Sequence, residues 1–375
     1  MALKVLNIVP SYYPAKVYGG VIFSSHITNL ELSKKYSDIK ISVSTSTANG
    51  KKRLSSKSFT KNFKKNYKII YYFDEIINRF SFSFLFNVHK DIKNSDIVHF
   101  QDIFSFFSIY GIVCSKFFKK KILISPRGVL NSWSINSKKK ILKKIIFHLF
   151  FKDQKYFWHA TSLLEKKDLN LFGVRKNIFI IPNLILKKQS FSKKKLIDTK
   201  KKFVIGCLSR FDKKKGMDLL LKTLLLLDKK FILILAGPDF GYKEEILGVI
   251  KKYKLNDRVF VYDYLDNQKK EFFFNSIDLF ALPSHSENFG NVYLESLLRG
   301  KPILTSFNTP FWDIEKYNCG VTAKLQVKDI FSKIIQIEKK IIKKDIKKNC
   351  QKYLDKFDKV KLLDLYKKMY DKIYK

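Results

Sequence analysis

The chain has 375 residues, of which 46% are hydrophobic, so it is long enough for two domains with separate cores. No run of about 20 apolar residues occurs, and the N-terminus lacks the basic start, apolar core and cleavage site of a signal peptide. The four cysteines lie far apart and form no CxxC pair, so we expect reduced thiols in a cytoplasmic protein.

The charge of the chain is strongly positive. Its formal net charge is +41, from 74 Lys and Arg against 33 Asp and Glu. Such an excess favours an anionic partner, namely nucleic acid, anionic lipid or a phosphorylated substrate. However, only seven of the 74 are arginine, and the chain is also rich in Ile, Phe, Asn and Tyr, as AT-rich coding produces. Many of the lysines are then expected on a solvated face, so charge alone does not identify the partner.

The first half of the chain alternates strand and helix signals. Short apolar runs that end in polar or turn residues predict strands at LKVLNIV, KISVSTST, DIVHFQD, KILISPRG, KYFWHATS and NIFIIPN. Between them lie stretches such as GVIFSSHITNLELSKKY, in which apolar residues recur with helical spacing. Alternation of this kind predicts a parallel α/β sheet in a first domain, residues 1–186.

A polar, lysine-rich stretch at residues 187–202 predicts a linker, after which the alternation restarts. Strands are expected at FVIGCLS, FILILAG, RVFVYDYL, DLFALPS and PILTS, with helices between them. This pattern predicts a second doubly wound domain, residues 203–355, and a cleft between the two domains. The tail is lysine-rich and mostly helical, and its last segment, about residues 356–375, is amphipathic.

The segment GCLSRFDKKKGMDLL is a candidate phosphate site. A buried strand ends at Arg210, and Lys215-Gly216 leads into a helix. In open α/β sheets, ligands bind at the carboxyl ends of strands, where helix N-termini expose N–H groups. A guanidinium and an ammonium at that edge suit a diphosphate. The alternative is a solvated basic loop in a lysine-rich chain.

The segment SENFGNVYLES places two carboxylates around a small turn. Glu287 lies in the loop after a strand, Gly290 lets backbone approach a ligand closely, and Glu295 lies about one turn inside the next helix. Both carboxylates are suited to accept hydrogen bonds from vicinal hydroxyls. The alternative is a solvated Glu287 and a Glu295 that only complements the helix dipole.

Taken together, these segments resemble the retaining GT-B glycosyltransferases, and more narrowly their family 4 (group 1). The E-x7-E pattern lies between LPS and RGKPILTSFNTPFW, and SRFDKKKGMD matches the Arg…Lys-Gly segment of the family. ISPRGVLNSWSI and WHATSLLEKKDLNLFGVRKNIFIIPN resemble runs of members that build surface polysaccharides. The resemblance covers about residues 4 to 320. It implies two Rossmann-like domains facing across a cleft, with the C-terminal helix crossing back to the N-terminal domain.

The resemblance also implies roles for individual residues. Arg210 and Lys215 would hold the donor diphosphate and stabilise the leaving charge, Glu287 would face the transferred sugar, and Glu295 would accept from the ribose hydroxyls. The catalytic residues would be Glu287, Arg210 and Lys215. The further residues in contact with the donor would be Gly19, Gly20, Phe289, Gly290 and Asn291. Asp263 stands where related enzymes often have glycine, near the nucleotide base, so the base is left open.

The first half of the chain contains three further places where a side chain or the backbone could reach the cleft. Gly19-Gly20 follows the first strand and matches the glycine loop of the family, although a tight turn explains the pair equally well. Arg127 stands where many relatives have histidine, and because it stays charged it is expected to orient the sugar or an anionic acceptor. The alternative is an Arg packed on Trp133 or capping a loop. We expect His99 to be a packed, hydrogen-bonded residue outside the catalytic set.

Residues 138–152, KKKILKKIIFHLFFK, predict a basic helix with an apolar face. This suits peripheral attachment to anionic lipid and equally suits a helix packed on the sheet. No D-x-D, H-E-x-x-H or Cys/His cluster occurs, so we expect no metal and no cofactor beyond a nucleotide-diphosphate sugar as donor substrate.

The resulting hypothesis is a cytoplasmic, membrane-peripheral glycosyltransferase that moves a sugar to a lipid-linked glycan with retention, in surface polysaccharide or lipopolysaccharide synthesis. A rival within the fold is a sugar-nucleotide epimerase or a glycan phosphorylase. A rival outside it is a basic nucleic-acid-binding protein, which the charge favours, although no RNP-like stripe, helix-turn-helix or zinc finger occurs.

Overall fold

The structure is a computed structural model that describes residues 2–15, 19–77, 80–135, 140–185, 194–197, 202–343 and 345–375. Contacts divide the chain into two compact units, the first of Met1–Leu186 with Phe357–Lys375 and the second of Lys187–Lys356. Most of the predicted linker, residues 187–202, lies outside the described residues. Within the described part of the chain, no helix is long and apolar enough to span a membrane.

The first unit is built on an eight-stranded sheet in the order β10-β9-β8-β7-β1-β2-β6-β5. Every neighbouring pair is parallel except β5 with β6. The strands, with the small antiparallel pair β3-β4, are β1 Leu3–Val9, β2 Ile39–Ser46, β3 Ala48–Asn49, β4 Lys52–Arg53, β5 Phe59–Lys64, β6 Tyr67–Tyr72, β7 Ile97–Phe100, β8 Lys121–Ile124, β9 Phe157–Ala160 and β10 Ile178–Ile180.

Helices follow most of the parallel strands, as the alternating sequence pattern predicts. They are α1 Gly20–Lys35, α2 Phe82–Lys93, α3 Phe106–Phe117, α4 Ser132–Ile135, α5 Lys140–Ile146 and α6 Leu163–Leu171, with a turn of π-helix at Phe147–Phe151 after α5. Successive residues of a strand point to opposite faces, and both faces of this sheet are covered. One core contains Leu6 and Ile8 with α2, α3 and α6, and the other contains Val5 and Val9 with α1.

The second unit is a six-stranded, fully parallel sheet in the order β13-β12-β11-β14-β15-β16. Its strands are β11 Phe203–Leu208, β12 Phe231–Ala236, β13 Val259–Tyr262, β14 Leu279–Ala281, β15 Ile303–Ser306 and β16 Gly320–Ala323. Its helices are α7 Met217–Leu226, α8 Lys243–Lys252, α9 Asn267–Ser276, α10 Asn291–Leu297, α11 Val327–Lys343 and α12 Ile346–Leu354.

The final helix, α13 Lys359–Tyr374, packs on the first unit. Asp358 caps it by accepting a hydrogen bond from the Lys361 N–H at 3.0 Å. Leu362, Tyr366 and Tyr370 of its apolar stripe are buried in the same core as α1. The amphipathic pattern of the tail therefore serves to cover one face of the first sheet.

The sequence pattern missed two features of the sheets, whereas the predicted basic helix is found close to its predicted bounds. The β5-β6 hairpin and strand β16 were not predicted; β5 is a largely exposed, charged edge strand, and β16 is a short edge strand that begins at a glycine. The predicted helix at 138–152 is α5 followed by the π-helical turn, and its first residues, 138–139, lie outside the described part of the chain.

Candidate active site

The second sheet has its topological switch between β11 and β14. From β11 the chain runs outward through β12 and β13, whereas β14 starts the opposite half of the sheet. Open α/β sheets bind ligands outside the carboxyl ends of the strands at such a switch point. The loops after β11 and β14 contain Arg210, Lys215 and Glu287, so the two segments predicted to form the site lie at this point.

The two loops are in direct contact. The His285 N–H donates a hydrogen bond to the Lys214 carbonyl at 2.8 Å. Gly216 has φ +68°, and a Cβ at that position would lie 2.2 Å from the Pro283 carbonyl oxygen. Only glycine allows both this left-handed conformation and so close an approach. Gly216 therefore holds the start of α7 against the loop after β14.

The central contact of the site is an ion pair. Lys215 Nζ donates to Glu287 Oε1 at 2.6 Å, and the two side chains are only 8% and 13% exposed. Two residues that the resemblance assigned separately to phosphate and sugar thus hold each other in this structure. A cation and a carboxylate so far removed from solvent position one another strongly.

Two further cations lie beside this pair. The Arg210 guanidinium stacks over the Phe240 ring, 4.6 Å from its centroid, and no carboxylate of the described residues pairs with it. Burial lowers the pKa of Lys214, and the charges of Lys215 and Arg210 lower it further, while Glu287 opposes them. The Asp212 carboxylate also acts on Lys214, so the site contains three cations and two carboxylates, an excess of positive charge suited to a diphosphate.

The predicted turn after Glu287 takes a defined conformation. Gly290 has φ +78°, and a Cβ there would come 2.7 Å from the Tyr293 ring and 3.2 Å from the Glu287 Cγ atom. Phe289 is buried against Phe311, with ring centroids 5.7 Å apart, and α10 begins at Asn291. With the Phe289 side chain turned into the core, the backbone of this turn is the part available to a ligand.

Glu295 lies on α10, as predicted, but it has a partner that the sequence did not reveal. Lys270 of α9 forms an ion pair with its Oε2 atom, and the side chains are 28% and 25% exposed. One turn further along α10, Arg299 binds Glu271 of α9 at 2.9 Å in a buried pair. Two ion pairs therefore link α9 and α10, and one of them engages the Glu295 carboxylate.

The remaining predicted donor contacts lie elsewhere. Gly19 has φ +78° and no atom within 4 Å of its ideal Cβ, and Gly20 begins α1; residues 16–18 before them are outside the described part of the chain. Asp263 follows β13 and pairs with Lys243 at 2.5 Å. Both glycines belong to the first unit and Asp263 to the second.

Arg127 of the first unit follows β8 with φ +56°, a strained conformation for a non-glycine residue. Its Nε donates to Gln101 Oε1 at 2.8 Å, its Nη2 donates to the same oxygen, and its Nη1 donates to Asn183 Oδ1 at 3.1 Å. The nearby carboxylate of Glu165 instead accepts from the Gly128 N–H and from Thr161. The arginine is thus held by amides and is only part-buried.

His99 is a packed residue, which confirms the prediction. It is 1% exposed, and its ring nitrogens contact the Tyr370 hydroxyl at 3.0 Å and the Ser125 hydroxyl at 2.7 Å. Burial lowers its pKa well below the usual value, and the neighbouring His159 and Arg127 lower it further. It is neutral and carries no protonation role at neutral pH.

Sequence reasoning missed the residues that position the candidates: Lys214, Lys270, Gln101 and Asn183. Gln101 and Asn183 follow strands within the quoted runs DIVHFQD and IIPN, so their place at strand ends was a signal for them. Lys270 had no such signal, because its role depends on how α9 packs against α10. Among the described residues, no three His, Cys, Asp or Glu side chains are grouped to hold a metal ion.

The fold defined by these two units is that of the GT-B glycosyltransferases. HepE of Anabaena, in complex with UDP and glucose, superposes with a TM-score of 0.75 at 19% identity, covering 98% of this chain and 99% of that one. Sucrose-phosphate synthase of Thermosynechococcus elongatus superposes with a TM-score of 0.77 at 14% identity, covering 99% of each chain. At such low identities these similarities establish the fold alone.

The sequence comparisons identify the family of the second unit. Residues 187–353 match the family of group 1 glycosyl transferases. The chain is 27% identical over 220 residues to the O-antigen biosynthesis glycosyltransferase WclY of Escherichia coli, covering 59% of each protein. The match thus spans about three fifths of that curated relative. The second unit is a group 1 glycosyl transferase domain, as the resemblance predicted, in a chain with the GT-B fold.

Proposed function

We propose that the protein transfers a sugar from a nucleotide-diphosphate donor to a hydroxyl of a glycan acceptor. The observation that carries this proposal is the buried Lys215–Glu287 ion pair at the switch point, beside an Arg210 that no described carboxylate neutralises. The cations Arg210, Lys214 and Lys215 lie together there, beside the carboxylates of Glu287 and Asp212. That arrangement suits a diphosphate attached to a neutral, hydroxyl-rich group.

In the proposed reaction, the bond between the anomeric carbon and the β-phosphate oxygen breaks, and a bond to the acceptor oxygen forms. The acceptor proton leaves with the departing phosphate or to solvent. Arg210 and Lys215 stabilise the negative charge that develops on the leaving diphosphate, a contribution worth roughly 10²–10³ in rate for one well-placed donor. Glu287 faces the sugar, Glu295 binds the ribose hydroxyls, and the anomeric configuration is retained.

The same cations take the role that a divalent ion has in many other transferases, so we propose that the reaction proceeds without metal. Arg210, Lys214 and Lys215 supply the positive charge that must oppose the diphosphate. We also propose a UDP-sugar or a related nucleotide sugar as donor, since HepE has been crystallised with UDP and glucose. The relative WclY acts in O-antigen biosynthesis, which supports a lipid-linked surface glycan as acceptor.

The test is a melting-temperature panel of nucleoside diphosphates and nucleotide sugars against the purified protein, with EDTA present. A ligand at one hundred times its dissociation constant adds about 2.7 kcal/mol of stability. We expect one nucleotide family to raise the melting temperature, and we expect Arg210→Ala and Glu295→Ala to lose most of that shift. Product analysis by NMR with the donor so identified then reports the anomeric configuration.

Two matched variants control for nonspecific effects. Arg175→Ala removes an exposed arginine of the first unit, and Glu244→Ala removes an exposed carboxylate of α8. Both should keep the full nucleotide shift. Stabilisation by duplex DNA but by no nucleotide would instead support the nucleic-acid-binding alternative, with its steep dependence on salt.

We further propose that α5 attaches the protein to an anionic membrane surface, on the cytoplasmic side. None of the residues of this short helix is buried. Ile141, Leu142 and Ile145 are 75%, 52% and 49% exposed. The same helix contains lysines 140, 143 and 144, of which Lys143 donates to the Ser134 carbonyl at 2.6 Å. Leu149 of the following π-helical turn is 66% exposed. Aliphatic side chains between lysines are the composition of interfacial helices, and each lysine near an anionic surface contributes about 1 kcal/mol.

Cosedimentation with vesicles of phosphatidylglycerol and phosphatidylcholine tests this attachment. Ile141→Ser with Ile145→Ser should reduce binding, whereas Leu171→Ser, at an 83% exposed position of α6, should not. Binding that is equal for pure phosphatidylcholine vesicles, or unaffected by the paired serines, would refute the role of α5.

A further inference from the structure

Arg127 is a charged group whose neighbours are arranged to leave its charge available. Its three hydrogen bonds go to the amide oxygens of Gln101 and Asn183, which are neutral. Arginine has five N–H donors, so N–H groups remain on the terminal nitrogens. The Tyr366 hydroxyl, also neutral, lies within reach of the guanidinium. Among the described residues, no carboxylate forms an ion pair with it.

The carboxylate that stands nearest in the fold is engaged elsewhere. Glu165 accepts hydrogen bonds from the Gly128 N–H at 2.8 Å, the Thr161 N–H at 2.7 Å and the Thr161 hydroxyl at 2.8 Å. Its two oxygens thus fix the backbone on either side rather than the guanidinium. The loop that results holds Arg127 at φ +56° and Gly128 at φ +80°. A strained arginine that forms no ion pair with any described carboxylate, although its charge acts on Glu165 at longer range, indicates a ligand-binding role.

A directed chain of hydrogen bonds orients Gln101. The Ile181 carbonyl can only accept, so His159 Nε2 donates to it at 2.8 Å and His159 Nδ1 accepts from the Ser125 hydroxyl at 2.8 Å. Ser125 must then accept from His99 Nε2 at 2.7 Å, which leaves His99 Nδ1 as an acceptor. Gln101 Nε2 lies 3.3 Å from both ring nitrogens of His99, of which only Nδ1 can accept, and it donates at 2.9 Å to Asn7 Oδ1.

This chain fixes the amide of Gln101 with its nitrogen towards His99 and Asn7 and its oxygen towards Arg127. The arginine is therefore positioned by a buried network that contains no negative charge. Each polar atom of the Gln101 side chain is engaged in this network, although the buried Asn7 Nδ2 has no hydrogen-bond partner among the described residues. Such a network is costly to build for a solvated surface arginine and is well suited to presenting a guanidinium to a ligand.

We propose that Arg127, positioned by Gln101 and Asn183, binds an oxyanion of the substrates, a carboxylate or a phosphate. This inference rests on the proposed function and specifies its substrate class. The anion has two possible sources, a uronate or phosphate group on the acceptor glycan or the phosphate of the donor. A guanidinium recognises both through the same paired N–H···O bonds.

The experiment compares binding of glucuronate, glucose and inorganic phosphate to the full chain by saturation-transfer NMR, together with calorimetric titration of the nucleoside diphosphate. Glucuronate and glucose differ only in the carboxylate. We expect glucuronate or phosphate to bind and glucose to bind at least about tenfold more weakly, because a hydrogen bond to a charged group contributes this much or more. Arg127→Gln should remove the difference.

Gln101→Glu is the sharper variant, because it keeps the size of the side chain and places a carboxylate against Arg127. It should abolish anion binding, whereas Gln154→Glu, which adds the same charge at an exposed position of the first unit, should not. Arg175→Gln controls for loss of a surface arginine. Circular dichroism checks that each variant is folded.

The outcomes of these experiments distinguish the two possible sources of the anion, the acceptor glycan and the donor phosphate. If Arg127→Gln abolishes glucuronate binding and leaves nucleotide affinity unchanged, the anion belongs to the acceptor; if it weakens the nucleotide, the anion is the donor phosphate. Equal binding of glucuronate and glucose, with phosphate and nucleotide affinities untouched in Arg127→Gln and Gln101→Glu, would overturn the proposal. If the proposed function itself is wrong, Arg210→Ala will leave the binding of nucleotides unchanged.

Discussion

The candidate site of the second unit and the Arg127 region of the first unit differ in how their charged side chains are paired. In the second unit, Lys215 is matched by Glu287 at 2.6 Å and Glu295 is matched by Lys270. In the first unit, Arg127 is held only by amide oxygens, and the imidazoles beneath it are neutral. Both regions lie where strands of a parallel sheet end.

The difference shows how each region balances stability against binding. An internal ion pair keeps two charges ordered before any ligand arrives, but one partner must be shared with the ligand. A guanidinium held by neutral acceptors keeps its full charge for a ligand, at the cost of desolvating that charge in the free protein. Variants that add or remove one charge in each region should therefore have distinct effects on rate, stability and binding.

The largest effect is expected from Lys215→Ala. This change removes a cation that we propose stabilises the leaving group, and it leaves Glu287, which is only 13% exposed, without its partner. We expect the rate of donor cleavage to fall by about 10²–10³, equivalent to roughly 2.7–4 kcal/mol. The measurement is release of nucleoside diphosphate from the donor that the melting panel identifies.

Lys222→Ala is the matched control, since Lys222 pairs with Asp218 in an exposed contact on α7 of the same unit. Its removal should leave the rate unchanged, because exposed ion pairs contribute little. If Lys215→Ala retained near-normal turnover, the ion pair would be structural and the leaving group would have to be stabilised by Arg210 and Lys214.

The next largest effect is a pH dependence of stability, caused by the buried neutral imidazoles of His99 and His159 near Arg127. Burial, and then the charge of Arg127, lower the pKa of His159 to about 3, and the pKa of His99 is also well below its usual value. The unfolded chain takes up protons near pH 6.5 while the folded one does not, so stability is complete above that pH and is lost as pH falls towards 3. The expected slope is about 1.4 kcal/mol per pH unit for each histidine.

Denaturant unfolding at a series of pH values measures this slope. His159→Asn should reduce it, whereas His148→Asn, at an exposed position of the π-helical turn, should change it little. A stability that stays flat down to about pH 4 would show that the imidazoles are not buried in neutral form, and the contrast between the two regions would weaken.

A smaller effect is expected from Gly216→Ala, which tests the contact between the loops after β11 and β14. The new Cβ would lie 2.2 Å from the Pro283 carbonyl oxygen at φ +68°, so the backbone must move. We expect a loss of about 1–3 kcal/mol in the free energy of unfolding and weaker nucleotide binding. Gly248→Ala in α8, with nothing within 4 Å, should instead stabilise the protein by up to about 1 kcal/mol. Equal behaviour of the two variants would contradict the role given to Gly216.

Much of the fold was predictable because it depends on local patterns. Buried parallel strands are short apolar runs, and the helices between them show a period that the sequence displays directly. The positions of Arg210, Lys215 and Glu287 at strand ends followed from the same pattern. The edge strand β5 escaped prediction because exposed, charged residues such as those of Phe59–Lys64 carry no such signal.

The pairing of the site residues was not predictable, since it depends on packing between elements distant in sequence. Lys215 and Glu287 are 72 positions apart, and Arg127 and Asn183 are 56 apart. The sequence indicated that these side chains stand near strand ends, but not which charge meets which. Whether an arginine binds an amide or a carboxylate is decided by the register of neighbouring loops, and no local pattern encodes that.

The smallest effect, and the most informative about recognition, is expected from Lys270→Met. The Lys270–Glu295 pair is 28% and 25% exposed, so its loss should change the free energy of unfolding by less than about 1 kcal/mol. Because Lys270 restrains the carboxylate predicted to bind the ribose, nucleotide affinity should fall by up to about fivefold, while 2′,3′-dideoxynucleotides should lose little. Lys269→Met, at the exposed neighbouring position, is the control. Calorimetry with both nucleotides distinguishes the cases: an equal loss for the two would mean that Lys270 acts through the phosphate, and a tighter complex would mean that it competes with the ribose for Glu295.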